Sequence, residues 1–300
     1  MKNTVGKEGG THYEARIIVN PASRSGLKVY KALLPSLGEL FHYDVRFTES
    51  RGHAEELARS SGGDVIIVCG GDGTINEIAN GLAGRIDVAV APTFGGSGCD
   101  LSRLLGIKKP AGERLREIYD KLRAGERLKM RLSVVETGKS SRFFVGVGDA
   151  GFGAEVAGLF DGFRRFGKMG YVLGVLKALV RMKPVRVEIL IDGKLKSDRA
   201  MMVMFARSRY YAGGMKVSPN SDHLSDSARF IYLKWMRKLK FLFVFPLVFA
   251  GRHIRLKQVE EGGVNILQIK TPGLPIDVEG EFVGLTPCTF AVTGNYISFV

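Results

Sequence analysis

Asp64-Val65-Ile66-Ile67-Val68-Cys69-Gly70-Gly71-Asp72-Gly73-Thr74-Ile75-Asn76-Glu77-Ile78-Ala79-Asn80-Gly81-Leu82 is the stretch whose reading decides the fold. Asp64 to Cys69, rich in Val and Ile, reads as a buried strand, and Ile75 to Leu82 has helical spacing. The glycines between them let the backbone approach a ligand closely, and the amides at the helix start can face a phosphate. The turn holds no Walker lysine, so it is not an ordinary P-loop. Asp72 is its informative residue. A bare carboxylate repels phosphate, so at a phosphate site it would hold Mg²⁺, directly or through water, or accept a proton from an attacking hydroxyl. A purely structural reading also fits. Thr74-Ile75-Asn76-Glu77 has the form of a capping box, and Asp near a helix N-terminus is ordinary dipole chemistry.

The same alternation extends outward on both sides. Ala15 to Val19 reads as a strand ended by Asn20-Pro21, Val29 to Leu40 as a helix, Tyr43 to Phe47 as a strand and His53 to Arg59 as a helix. Val88 to Ala91 follows as a fourth strand, and Glu113 to Ala124 as a charged amphipathic helix. Strands and helices in this order mean crossover connections and a parallel sheet, with ligands expected beyond the carboxyl ends of the strands. A second glycine-rich turn, Pro92-Thr93-Phe94-Gly95-Gly96-Ser97-Gly98-Cys99-Asp100, also leads from a strand into an apolar helical pattern, Leu101 to Leu105. Asp100 on its own is an ordinary helix cap. Two such turns at neighbouring strand ends, each with an Asp, favour phosphate binding over capping alone.

From about Leu132 the pattern becomes mainly β, with strands expected at Leu132 to Val135, Phe143 to Val147, Val185 to Ile191, Met201 to Phe205, Phe230 to Leu233, Val264 to Ile269 and Phe290 to Val292. Asp192-Gly193 is a hairpin signal, and one helical stretch, Tyr171 to Met182, interrupts the strands. The 300 residues exceed what one ordinary core holds. The expected fold is an α/β N-terminal domain with a parallel sheet, residues 1–126, followed by a mainly β, sandwich-like C-terminal domain, residues 127–300.

Lys and Arg outnumber Asp and Glu by 44 to 30, a formal charge of +14, which suits an anionic partner. No RNA- or DNA-binding module signature occurs, so no nucleic-acid partner is expected. Cys69, Cys99 and Cys288 are widely spaced and form no disulfide framework or metal-ligand spacing, which points to a cytoplasmic setting. The polar N-terminal residues lack the apolar core of a signal peptide. The apolar run Phe241 to Ala250 is too short to span a bilayer and contains Pro246. It is flanked by Lys234, Arg237, Lys238 and Lys240 on one side and Arg252, Arg255 and Lys257 on the other. Aromatics between bases suit peripheral contact with an anionic membrane; an apolar run of this length also fits an element of the core with solvated flanks. Arg164, Arg165, Lys168, Lys177 and Arg181 form a second basic stretch, read as a solvated helix face. The isolated histidines form no metal spacing.

These motifs resemble the diacylglycerol kinase catalytic family, the bacterial and archaeal lipid kinases related to sphingosine and ceramide kinases. Gly70 to Thr74, with Asn76, Glu77, Asn80 and Gly81, is similar to its Gly-Gly-Asp-Gly-Thr signature, the most specific piece. Asn20-Pro21 with Ser23 and Ser25 resembles its opening nucleotide loop, and Thr48 followed by Gly52-His53-Ala54 its second nucleotide segment. Gly96 to Asp100 with Arg103 resembles the Gly-Thr-Gly-Asn-Asp block. Tyr210 to Pro219 resembles the Tyr-Gly-Gly-Gly-Met stretch, and Glu279-Gly280-Glu281 with Thr286-Pro287 the C-terminal Asp-Gly-Glu block. The chain departs from the family pattern in five places, the first a longer second turn between Pro92 and Asp100. Cys99 replaces the usual Asn, and Ala206-Arg207 replaces Asn-Gly. Ser225-Asp226 stands near the usual Asp-Gly of a structural metal site, and Glu279 replaces Asp.

The resemblance implies ATP and Mg²⁺ as cofactors and transfer of a phosphate to a lipid hydroxyl at the membrane, most naturally of a diacylglycerol. It implies nucleotide contacts at Asn20, Ser23, Ser25, Thr48, Gly71, Gly73, Thr74, Glu77, Gly96 and Ser97, and a charged network around Mg²⁺ from Asp72, Asp100 and Glu281. The base it implies is Glu279, with Asp72 as the rival. Two other functions stay open: a kinase of this fold acting on a soluble acceptor such as NAD, and a non-catalytic nucleotide- or lipid-binding protein. The sequence also leaves a homodimer open.

Overall fold

The computed structural model describes residues 12–93, 99–163 and 167–300. It divides into two compact units, one running to Leu132 and taking in Gly294–Val300, the other Ser133–Thr293.

The first part of the chain alternates as expected: β1 (Tyr13–Val19), α1 (Gly26–Leu40), β2 (Phe41–Phe47), α2 (His53–Arg59), β3 (Val65–Cys69), α3 (Asp72–Gly81), β4 (Ala89–Pro92), α4 (Asp100–Leu104), α5 (Ala111–Arg123) and β5 (Leu128–Thr137). β2, β1, β3 and β4 lie side by side, and each pairing is parallel. Every residue of β3 and β4 is buried, as a central parallel strand covered on both faces requires. Ile17, Leu33, Leu37, Ile67 and Leu115 share one core cluster, where the helices bury their apolar stripes against the sheet.

The second part runs β6 (Ser141–Phe144), β7 (Val147–Gly151), α6 (Phe152–Phe163), α7 (Gly167–Arg181), β8 (Val185–Ile191), β9 (Lys194–Ala206), β10 (Ala228–Lys234), α8 (Lys238–Val244), β11 (Val259–Val264), β12 (Ile266–Ile269), β13 (Pro275–Val278), β14 (Glu281–Leu285) and β15 (Cys288–Phe299), with 3₁₀ turns at Phe245–Val248 and Arg252–Arg255. Pairing here is antiparallel: β14 with β13, β13 with β7, β7 with β9, β9 with β8, β8 with β12 and β12 with β15, while β10 joins β9 to β11. The alternation of β9 serves two cores. Val203 and Phe205 face a cluster in which the Phe205 and Phe290 rings stack at 5.9 Å, and Met204 and Ala206 face a cluster built with α6, α7 and α8.

Three expectations need correction. The units part at Leu132 rather than near residue 126, and the C-terminal residues return to the first unit. Ser298 and Phe299 of β15 pair in parallel with Ala89 and Val90, so the tail supplies the strand beside β4. The fully buried Arg114 guanidinium of α5 donates to the Val300 carbonyl. A pairing between residues some two hundred positions apart leaves no trace in local periodicity. The second unit also holds α6 and α8 besides the expected α7, and the Phe241 to Ala250 run is the end of α8 continued by a 3₁₀ turn.

Candidate functional site

In the first unit the carboxyl ends of β1, β3 and β4 are tied together by their turns. The Asn20 amide donates to Thr74 Oγ1 at 2.9 Å, while its own oxygen accepts the amides of Ala22 and Ser23 at 3.0 and 3.1 Å. Ser23 Oγ donates to the Asn20 carbonyl and accepts the Gly26 amide, opening α1. Gly26 has to be glycine, because a Cβ there would lie 2.2 Å from the Asn20 carbonyl and 2.7 Å from that of Cys69. Thr48 is buried, and its amide extends the ladder to Val19 at 2.9 Å.

The capping-box reading of Thr74 and Glu77 does not hold. α3 begins at Asp72 with Gly71 at its N-cap, so Thr74 and Glu77 lie inside the helix, and among the described residues no side chain caps its start. Their side chains instead make tertiary bonds: Thr74 accepts from Asn20, and the buried Glu77 carboxylate accepts the Ala54 amide at 3.1 Å, at the start of α2. With no side-chain cap, the first-turn amides of α3, Asp72 to Thr74, form an anion-accepting end.

Asp72 and Asp100 are brought together. The Asp72 carboxylate accepts the amides of Asp100 and Leu101 at 2.8 and 3.0 Å and the Cys99 thiol at 2.9 Å, so it caps α4 from outside that helix. Burial and the neighbouring Asp72 charge push the Cys99 thiol up, keeping it protonated as the donor this contact needs. Cys99 is thus a hydrogen-bond donor at the position where the family pattern has Asn. Asp100 itself pairs with Arg103. Gly96 and Ser97 lie outside the described residues.

In the second unit Glu279 and Gly280 form the turn between β13 and β14, both with positive φ, +54° and +84°. The Glu279 amide donates to the Val147 carbonyl at 3.1 Å, and its carboxylate accepts the amides of Gly146 and Val147. Gly146 makes room for that carboxylate, since a Cβ there would lie 2.7 Å from Oε1. Glu281 sits 3.9 Å from the Arg142 guanidinium. Near the suspected structural metal position, the buried Arg207 guanidinium donates to the carbonyls of His223 and Ser225 at 3.0 and 2.7 Å, so a cation built into the chain holds that loop.

The sequence reading missed Asp149. It is completely buried on β7 and bonds to Tyr211, which also bonds to buried Asp277. A signal was present: a lone carboxylate in the small, apolar strand Val147-Gly148-Asp149-Ala150-Gly151.

Tyr211 also lines an apolar cavity, partly open to solvent, walled by side chains that include Val156, Met204, Met236, Phe241 and Phe245. Its surface is almost wholly apolar, and methionines let such a wall adapt to an occupant. The Leu239 to Phe249 segment therefore divides in two. Phe241, Val244, Phe245 and Val248 line the cavity, while Leu239 and Phe243 are 68% and 77% exposed. Val180 on α7 is 76% exposed, and Lys238 of α8 donates to its carbonyl at 2.7 Å. Arg164 and Arg165 lie outside the described residues. No described helix is long and apolar enough to cross a membrane.

The sequence profile of the diacylglycerol kinase catalytic domain matches residues 14–133, and that of the YegS C-terminal NAD kinase beta sandwich-like domain matches residues 146–300. The chain is 26% identical to a diacylglycerol kinase of Mycobacterium tuberculosis strain H37Rv, across 88% of this chain and 87% of that one. Its fold is similar to the crystal structure of a diacylglycerol kinase from Bacillus anthracis (TM-score 0.69, 19% identity, 97% and 98% of the two chains covered). It is also similar to an NAD kinase from Archaeoglobus fulgidus in complex with ATP (TM-score 0.53, 15% identity, 95% and 92% covered).

Proposed function

The chain belongs to the diacylglycerol kinase catalytic family, and from that membership we propose that it moves the terminal phosphate of ATP onto the hydroxyl of a diacylglycerol-like lipid. The observation that carries the lipid over a soluble acceptor is the apolar cavity of the second unit. Its wall of Met, Phe, Val and Leu side chains complements an acyl chain. A dinucleotide would bury charged phosphates against that wall without partners.

The α3 N-terminus, with Gly71, Gly73 and Thr74, receives the nucleotide phosphates, and Asn20 holds Thr74 in place. Ser23, Ser25, Thr48, Glu77, Gly96 and Ser97 complete the nucleotide contacts that family membership suggests. Mg²⁺ is an oxygen-seeking cation, and the carboxylates of Asp72, Asp100 and Glu281 are donors of the right kind. Among the described residues no three His, Cys, Asp or Glu side chains are grouped as a cage. An ion held by one or two carboxylates and the substrate's own phosphates needs none. When bound, it would neutralise charge on the phosphates.

Glu279 is the base. Its carboxylate, oriented by the amides of Gly146 and Val147, takes the proton of the lipid hydroxyl as that oxygen bonds to the terminal phosphorus and the bond to ADP breaks. Leu239, Phe243 and Val180, exposed among Arg237, Lys240 and Arg181, provide the contact with an anionic membrane surface.

The test is an acceptor screen with labelled ATP and Mg²⁺, offering diacylglycerol in anionic vesicles and NAD in solution. Label in the lipid extract is the expected result. Transfer to NAD alone would establish the soluble-acceptor reading, which the fold shared with an NAD kinase supports. Turnover with neither would favour a binding protein.

A further inference from the structure

Asp149 of β7 and Asp277 of β13 stand directly opposite each other in the sheet, 0% and 1% exposed. The Tyr211 hydroxyl reaches both, bonding to Asp149 Oδ2 at 3.1 Å and to Asp277 Oδ1. A phenol has one proton, and an ionised carboxylate can only accept. Two hydrogen bonds from one hydroxyl therefore need a second proton, held by one of the two acids. The surrounding donors identify which. Asp277 Oδ1 also accepts the Gly280 amide at 2.9 Å, the role of a carboxylate oxygen. Asp149 accepts the Ala154 amide at 2.8 Å through Oδ1, which makes Oδ2, facing Tyr211, its hydroxyl.

The sheet supports the same assignment, because like charges directly opposite on paired strands destabilise them. Burial, and then the Asp277 charge, raise the Asp149 pKa well above the usual carboxylate range. Among the described residues, the titratable groups against Asp149 are Asp277 from β13 and Tyr211 from the loop after β9. β9 pairs Met204 with it, and α6 offers the Ala154 amide. Gly153 at the start of α6 leaves the space the acid occupies, since a Cβ there would lie 2.6 Å from either Asp149 oxygen.

We propose that Asp149 is a neutral carboxylic acid at physiological pH and a positioning residue for the phosphoryl-transfer site. Its proton is donated to Tyr211, Tyr211 donates to Asp277, and Asp277 holds the amide of Gly280. That amide belongs to the turn presenting Glu279, whose positive φ needs support from outside the turn. The positioning role rests on the reading of Glu279 as the base; the protonation of Asp149 does not.

Infrared difference spectroscopy of the purified protein at neutral pH, wild type minus Asp149→Asn, tests the protonation directly. The expected result is the carbonyl stretch of a protonated acid in the wild type and its loss in the variant. A difference spectrum without that band overturns the assignment. Kinetics with ATP and diacylglycerol vesicles test the positioning. Asp149→Ala should lower kcat about tenfold or more at an unchanged KM for ATP, as small displacements of a reacting group do. Asp149→Asn should recover most of that loss, because its amide nitrogen donates to Tyr211 and its carbonyl accepts from Ala154. Tyr211→Phe keeps the ring that lines the cavity but breaks the chain, and should be as slow as Asp149→Ala. Asp149→Asn no faster than Asp149→Ala, or Tyr211→Phe at the wild-type rate, overturns the positioning role. If Asp149→Ala does not fold, Asp149→Asn against Tyr211→Phe makes the same comparison. A fully active Glu279→Gln would refute the base while leaving the infrared result standing.

Discussion

Replacing Asp72 by Asn separates its structural role from its chemical one. The carboxylate accepts three hydrogen bonds, through Oδ1 from the Cys99 thiol and the Leu101 amide and through Oδ2 from the Asp100 amide. Asn turns one oxygen into a donor. With its carbonyl at the Oδ1 position two bonds survive, and its NH₂ then faces the Asp100 amide, donor against donor. The lost charge-assisted bond is worth about 1.5–3 kcal/mol. Loss of the anion at the α4 start adds about 0.3 kcal/mol, the low end for a helix this short. Asp72 is only partly buried, which favours the lower figures, so the cost is about 2 kcal/mol. A domain of ordinary stability, about 5–15 kcal/mol, remains folded. If Asp72 also acts on the phosphates, turnover falls at least about 100-fold, the scale on which removing one preorganised electrostatic group acts. The measurements are urea unfolding and steady-state kinetics across a Mg²⁺ titration. Stability lower by about 2 kcal/mol with turnover within a few-fold of wild type would refute the phosphate role and leave Asp72 as the cap of α4.

Three further outcomes are expected. Glu279→Gln should lower kcat strongly while the KM for ATP changes little, as for a group acting in the transition state; Asp277→Asn should destabilise the fold, because that carboxylate accepts both Tyr211 and the Gly280 amide in the core. Co-sedimentation with anionic vesicles should weaken with salt and with Leu239→Glu or Phe243→Glu, whereas equal binding to neutral vesicles at every salt level would remove the electrostatic part of the membrane contact. Because the folded-state pKa of Asp149 is raised, its contribution to stability is complete below the ordinary carboxylate pKa and is lost as pH rises through the raised value. In that window the unfolding free energy of Asp149→Asn should fall less steeply with pH than that of wild type, by up to about 1.4 kcal/mol per pH unit; parallel slopes would show that Asp149 is ionised in the folded protein.

The strand-turn-helix pattern at Asp64 to Leu82, repeated on either side, was sufficient for the parallel α/β unit, and the turn signals after Leu132 for the antiparallel one. These features are local, since strand and helix periods are written in neighbouring residues and glycine marks where backbone must come close. The clustering of Asn20, Thr74 and Asp72 at the strand ends is legible for the same reason, as parallel strands bring their following turns to one edge. Tertiary structure decided what depends on contacts between distant residues. The chain end pairs with β4, Glu77 serves α2 rather than its own helix, and Arg207 holds the loop of His223 and Ser225. It also divided the Phe241 to Phe249 run between a cavity wall and an exposed face, because helical geometry puts residues three and four apart, such as Phe241, Val244, Phe245 and Val248, on one face and leaves Phe243 on another. Asp149, Tyr211 and Asp277 are separated by dozens of residues and share no motif; only strand register and the packing of α6 bring them within hydrogen-bond reach, and only their burial together makes the position of one proton matter.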